Sequence, residues 1–136
     1  MSASEKPISD MPDNEVLGTN NINSQSPLSM DKLSEAFMND MDIIKEILSS
    51  FKEGFENFES EFDQAEQEGD AETMSRLAHG LKGSAGNIRA ETLSTNAATL
   101  QHKIDDGKEF KIARADVLSS LDALNQQIDA LVAREH

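Results

Sequence analysis

Apolar residues recur along most of the chain at intervals of three and four positions, which is the period of one face of an α-helix. The longest run keeps the alternation 3, 4, 3, 4, 3, 4 without interruption, so its side chains all lie on one face. It therefore predicts a single long amphipathic helix in the first half of the chain. Its members are Met41, Ile44, Leu48, Phe51, Phe55, Phe58 and Phe62.

Shorter stripes with the same period predict four other helices. One brief helix precedes the long run, with Ser29 as its N-cap and an apolar stripe at Leu33, Ala36 and Phe37. Three helices follow it, and the boundaries between them are marked by Gly69 with Asp70 and by Asp106 with Gly107, residue pairs typical of a helix stop. The third predicted helix carries the stripe Met74, Leu77, Ala78, Leu81, Ala85 and Ile88. The fourth carries Leu93, Ala97, Leu100 and Ile104. The fifth begins at about Phe110 and carries Ala113, Val117, Leu121, Leu124, Ile128 and Leu131.

The first 28 residues have a different character. They hold all three prolines, and their isolated apolar residues follow neither a helical nor a strand period. Such a segment buries too little apolar surface to offset its ordering entropy. We interpret residues 1–28 as a disordered tail or linker and residues 29–136 as one helical bundle domain.

Short connections between amphipathic helices favour antiparallel neighbours. The predicted fold is therefore all-α, an up-and-down antiparallel four-helix bundle with a short extra N-terminal helix. A long coiled coil is the rival architecture, because the Phe-rich face is heptad-like. Gly54 within that face and the repeated helix stops count against it.

Composition narrows the range of partners. With 12 Lys and Arg against 26 Asp and Glu, the net charge is −14, which opposes binding to nucleic acid. There is no cysteine, no apolar run of about 18 residues that would span a membrane, and no recognisable secretory signal. We therefore expect a cytoplasmic protein that binds neither nucleic acid nor a membrane. Much of the negative charge lies between Glu53 and Glu72, where a solvated helix face explains it.

One stretch of the third predicted helix is not explained by packing. At about 100° per residue, His79 falls outside the apolar stripe, and Ser75, Lys82, Gly83 and Gly86 lie on the same flank. Glycines cost about 1 kcal/mol each in a helix interior, so some other requirement must offset them. Close packing between helices would explain the glycines but not the neighbouring histidine and lysine. A loop would also explain them, but the apolar period runs through the stretch without a break.

Several kinds of chemistry fit this stretch poorly. A P-loop needs a preceding strand and a Lys that is followed directly by Ser or Thr. Lys82 is followed by Gly83, and no strand is predicted before it. A metal site is disfavoured because His79, His102 and His136 are far apart in sequence. We therefore expect neither a bound cofactor nor a metal. An exposed neutral imidazole can itself accept a phosphoryl group, with Lys82 neutralising the phosphate.

The geometry of a helical hairpin suggests a partner for this histidine. If the third and fourth helices are antiparallel about a turn near Ala90, positions 79 and 101 lie at the same height. Gln101 would then be able to hydrogen-bond one ring nitrogen and leave the other free. An ordinary exposed glutamine is an equally good interpretation. Arg76 and Arg89 add local positive charge around the histidine.

Residues 78–88, AHGLKGSAGNI, closely resemble the signature of histidine-containing phosphotransfer (HPt) domains of bacterial multistep phosphorelays. A looser resemblance extends over about Ser29 to Arg134. It implies a helical bundle in which His79 accepts a phosphoryl group from an aspartyl phosphate on one receiver domain and passes it to another. By the same resemblance Lys82 steadies the phosphate, Gly83 clears space beside the ring, and Gln101 orients the imidazole.

The resemblance also sets expectations for partners. It implies response-regulator receivers, and a hybrid sensor kinase in some systems, with the Mg²⁺ ion held by the receiver. Nothing in the sequence suggests ATP binding, so we expect a monomeric phosphoryl carrier and not an enzyme. Arg89 departs from the family pattern, in which a small residue is usual there. Met74, Leu77 and the segment from Met41 to Leu48 are candidates for an apolar docking rim, although core burial explains each of them better.

Two other hypotheses remain open from the sequence. The chain would serve as a helical adaptor if it bound a receiver or kinase without being phosphorylated. A weaker alternative is a bundle that binds a metal or cofactor.

Overall fold

Six α-helices and the turns between them form the described part of the chain, residues 27–133, in the computed structural model. No strand occurs within that range, and the all-α class is confirmed. Most of the segment predicted to be a tail or linker, residues 1–26 of 1–28, lies outside the described residues, and so does His136. The helices are α1 (Met30–Ala36), α2 (Met41–Gly54), α3 (Phe58–Gln67), α4 (Ala71–Asn87), α5 (Glu91–Asp105) and α6 (Lys111–Ala133).

The predicted helix boundaries between α3 and α6 are found in the structure. Gly69 and Gly107 follow α3 and α5 with φ of +68° and +67°, a left-handed conformation that glycine adopts without strain. Asp70 caps α4, because its carboxylate accepts hydrogen bonds from both the hydroxyl and the backbone N–H of Thr73. These two bonds lower the pKa of Asp70 below its ordinary value. Ser29 caps α1 in the same way, accepting from the N–H of Lys32.

The prediction of one long helix from Met41 to Phe62 is wrong, because the chain breaks between α2 and α3. Gly54 ends α2, and the N–H of Phe58 bonds to the carbonyl of Phe55 instead of the fourth residue back. Glycine disfavours a helix by about 1 kcal/mol, which makes this the weakest point of the run. Asn57 lies outside the helical region, at φ −103° and ψ 11°, yet Phe51, Phe58 and Phe62 on its two sides are all buried, so the apolar stripe continues across the break.

The predicted apolar stripes meet in one core, except that Ala36 and Met41 are exposed. The helix α4 packs on α5 and on α3, α5 packs on α6, and α6 packs on α2. Lys52 in α2 pairs with Asp129 near the end of α6, whereas Asp63 in α3 pairs with Arg114 near its beginning. The α2–α3 segment therefore runs antiparallel to α6. The complete up-and-down order stays a prediction.

The short N-terminal helix closes onto this core. Leu28 and Leu33 are buried there, although the sequence analysis counts Leu28 with the tail. Lys32 reaches Glu91 at the start of α5, at 2.6 Å. None of the described helices is both long and apolar enough to cross a membrane.

The turn after α4 has Arg89 at φ +63°, the position that glycine occupies after α3 and α5. The hydrogen bond from Ala90 N–H to the carbonyl of Ala85, at 2.8 Å, closes the turn as its counterparts close the other two. The Arg89 guanidinium bonds to the carbonyl of Gly86. The departure from a small residue therefore leaves the shape of the turn intact, at the expense of backbone strain.

Candidate functional site

The two faces of α4 have opposite surroundings. Met74, Ala78, Leu81 and Ala85 are at most 5% exposed and face the core. His79 lies on the exposed side of the helix, as its position outside the apolar stripe predicts. The buried stripe thus determines which side of α4 packs on the core, and the imidazole on the other side is accessible to another molecule.

Glycines on the exposed side of α4 are not required by packing. A Cβ added at Gly80 or Gly83 would meet no atom within 4 Å among the described residues. At Gly86 it would lie 3.6 Å from Ser94 Oγ, an ordinary contact. Close packing between helices therefore does not explain Gly80 and Gly83. Their cost in helix stability therefore has no explanation in the packing of the described residues.

Gln101 in α5 lies opposite His79, at the height that the hairpin geometry predicts. Its Oε1 is 3.4 Å from His79 Nδ1, and the side chain is half-buried. A carbonyl oxygen only accepts, so this contact is a hydrogen bond when Nδ1 carries the proton. That tautomer leaves the lone pair on Nε2. The placement agrees with the sequence analysis, and the role of Gln101 stays a prediction.

Two cations lie on α4 close to His79 in the sequence. Lys82 is half-buried and makes no ion pair within the range 27–133. Arg76 is exposed, and its Nη2 donates to Thr73 Oγ1 at 3.1 Å. The ammonium of Lys82 is therefore available to an incoming anion, whereas the guanidinium of Arg76 is partly engaged.

A shallow groove between α4 and α5 runs from His79 toward the beginning of α4. Ser75, Arg76, Gln101 and Asp105 are among its lining residues. Ser75 Oγ donates to Asp105 Oδ1 at 2.6 Å. Asp105 was missed by the sequence analysis, although the hairpin register that pairs 79 with 101 also pairs 75 with 105.

Ser94 is a second residue that the sequence analysis missed. It lies on the other side of His79, where its hydroxyl donates to the backbone carbonyl of Lys82 at 3.0 Å. Nothing in the local sequence marks this serine as a contact of α4. The α4–α5 register places it there.

The apolar docking rim expected from the sequence is only partly exposed. Met74, Ile44 and Leu48 are buried in the core, and Leu77 is half-buried. Met41 is exposed, as is its neighbour Ile43, at 43%. Within residues 27–133 no group of three or more potential ligands is placed to hold a metal ion.

Comparison with known protein families gives a match for most of this bundle. The family model described as "Hpt domain" matches residues 42–134, which is more than half of the chain and includes His79, Lys82 and Gln101. Neither the curated proteins nor the solved structures compared with the chain gave a significant match. Hpt domains carry phosphoryl groups in two-component phosphorelays, where they interact with receiver domains or kinases and do not act as kinases themselves. The chain belongs to the Hpt domain family.

Proposed function

We propose that this protein accepts a phosphoryl group on His79 from the aspartyl phosphate of one receiver domain and transfers it to the aspartate of another. The observation that carries the proposal is the exposed imidazole whose Nδ1 lies against Gln101. A histidine held in this way keeps one nitrogen lone pair for nucleophilic attack near neutral pH.

The transfer needs no base from this chain. The Nε2 lone pair attacks the phosphorus, the bond from phosphorus to the aspartate oxygen breaks, and the receiver regains its carboxylate. The Nδ1 proton stays on the ring, where the Gln101 carbonyl stabilises the positive charge that develops on the imidazole. Attack by a second receiver's carboxylate reverses these steps and restores neutral His79.

Lys82 supplies charge stabilisation, because phosphoryl transfer depends chiefly on positioning and electrostatics. Its ammonium has no competing carboxylate among the described residues. The receiver contributes Mg²⁺ and its own acidic residues. The chain as a whole carries −14 and would repel that acidic site. Arg76, Lys82 and Arg89 counter this repulsion locally.

The open space beside Gly80 and Gly83 supports docking at this face. A receiver must bring its aspartate within bonding distance of Nε2, so side chains beside the imidazole would keep the two active sites apart. We place the protein in the cytoplasm as a monomeric carrier. Its donor is a free receiver or the receiver of a hybrid sensor kinase.

The test is phosphorylation of His79→Gln by a phosphorylated receiver. Wild type should acquire an acid-labile, alkali-stable phosphoryl group, as expected for phosphohistidine, and His79→Gln should acquire none. His102→Gln is the matched control, because His102 is also exposed and lies on the neighbouring helix. Labelling of His79→Gln at the wild-type level would overturn the proposal. Tight receiver binding with no labelling of wild type would favour the adaptor function instead.

A further inference from the structure

Three hydrogen-bonding contacts join α4 to α5 on successive levels of the hairpin. The middle one is the contact between His79 and Gln101 at 3.4 Å. On one side Ser75 donates to Asp105 at 2.6 Å, and on the other Ser94 donates to the Lys82 carbonyl at 3.0 Å. The contact at the imidazole is therefore the longest of the three and is flanked by two shorter ones.

The middle contact is sensitive to helix register. Hydrogen bonds from N–H to oxygen are ordinarily about 2.7–3.2 Å long, so the 3.4 Å contact has little room to lengthen. A slide of α5 along α4 by the rise of one residue, about 1.5 Å, would break it. The Gln101 side chain does not by itself resist such a slide.

The bond between Ser75 and the exposed Asp105 adds to the core packing of α4 and α5 in resisting it. A hydroxyl that donates to a carboxylate forms a short, charge-assisted hydrogen bond, roughly twice as strong as a neutral one. Ser75 and His79 lie one turn apart on α4, and Gln101 and Asp105 lie one turn apart on α5. Fixing one pair therefore fixes the height of the other.

An aspartate at the position of Asp105 is unfavourable for α5 itself, so a contact with another helix is needed to explain it. Asp105 is the last residue of α5, where the partial negative charge of the helix end disfavours a carboxylate. Serine in the middle of α4 is likewise a poor helix former. The bond between the two side chains offsets both disadvantages.

We propose that Ser75 and Asp105 are positioning residues for the imidazole. Within the register that the core sets, their hydrogen bond adds to holding α5 at the height where Gln101 meets Nδ1, and so favours the proton on that ring nitrogen of His79. The inference rests on the proposed function of His79. It adds the hydrogen bond that helps to align α4 and α5, so that Nε2 of His79 keeps its lone pair for attack.

The experiment measures the tautomer of His79 by ¹⁵N NMR of the unphosphorylated protein, together with the rate of transfer from a phosphorylated receiver. In Ser75→Ala and Asp105→Ala the Nδ1-protonated form should lose population, and the transfer rate should fall roughly three- to tenfold, the effect of one lost hydrogen bond. Asp105→Asn should fall between wild type and Asp105→Ala, because its amide oxygen still accepts from Ser75 but without the charge that strengthens the bond. Asp106→Ala is the matched control, since it removes the same charge from the next, exposed position.

A double substitution tests whether the pair acts through Gln101. In a Gln101→Ala background, adding Ser75→Ala should change neither the tautomer population nor the rate any further. An unchanged tautomer in both Ser75→Ala and Asp105→Ala would overturn the proposal, and so would Asp105→Asn behaving like Asp105→Ala. The tautomer measurement needs no phosphorylation. A failure of His79 to accept phosphate at all would therefore appear separately, as absence of label on wild type.

Discussion

The buried and exposed faces of α4 obey different rules within one helix. On the buried face every position serves packing, and Ala78, Leu81 and Ala85 are 0% exposed. On the exposed face, Gly80 and Gly83 occupy positions where the Cβ of an alanine would meet no atom within 4 Å. Alanine would also favour the helix more than glycine does. The difference teaches that stability is set on one face of α4 and is given up at Gly80 and Gly83 on the other.

The strongest test of this division is Leu81→Ala. Removing a fully buried leucine leaves a cavity in the core, so the free energy of unfolding should fall by about 2–5 kcal/mol. Chemical denaturation measures the change. His79→Gln, only two positions away on the exposed face, should stay within about 0.5 kcal/mol of wild type. A large loss of stability in His79→Gln would contradict the division between the faces.

Gly83→Leu should separate access from stability. A Cβ at this position meets no atom within 4 Å and the position is exposed, so folding should be preserved, but the leucine side chain would obstruct a receiver approaching Nε2. Transfer should slow by about 100-fold, the scale of an effect from misplaced reactants. Rapid-quench measurement of the phosphorylated protein gives the rate.

Gly83→Ala is the control for that experiment. It should stabilise the helix by about 1 kcal/mol and slow transfer much less than leucine does. Normal transfer by Gly83→Leu would show that the glycine does not serve docking.

Lys82→Ala tests the electrostatic part of the exposed face. Loss of the ammonium should slow transfer roughly tenfold, the usual scale for a hydrogen bond to a charged group. The melting temperature should hardly change, because Lys82 makes no ion pair among residues 27–133. Lys103→Ala removes the same charge from α5 and should transfer normally. Unfolding of Lys82→Ala would assign the lysine to the fold instead.

The smallest expected effect is that of Arg89→Gly. Glycine relieves the left-handed strain at φ +63° but loses more entropy on folding, so the net gain in stability should be less than about 1 kcal/mol. Thermal denaturation at neutral pH measures it. A loss of more than that amount would mean that the Arg89–Gly86 hydrogen bond outweighs the strain.

The helix break at Gly54 shows where a pattern along the sequence stops being sufficient. Apolar spacing reports only which residues share a face, and the residues on both sides of the turn at Asn57 still face one core. The stripe from Ile44 to Phe62 was therefore predicted correctly as a stripe, Met41 at its beginning is exposed, and its continuity as one helix was wrong. Gly54 was the available signal.

The residues of the candidate site that lie on one helix were predictable from the sequence, and those that meet across two helices were less so. The exposed face with His79, Lys82 and Gly83 follows from the period of a single helix. Gln101 needed an assumption about the hairpin turn, and that assumption placed it correctly. Asp105 and Ser94 were missed, since a hydrogen bond between two helices depends on their separation as well as their register.

The sequence by itself determined the helical class, the buried stripe of α4 and the exclusion of His79 from it, because each depends on the positions of residues along one helix. Only the tertiary structure decided which groups meet the imidazole and its neighbours across the α4–α5 hairpin. It also decided that Gly80 and Gly83 have open space beside them. Such facts depend on distances between elements, and the energies that set those distances are summed over the whole core.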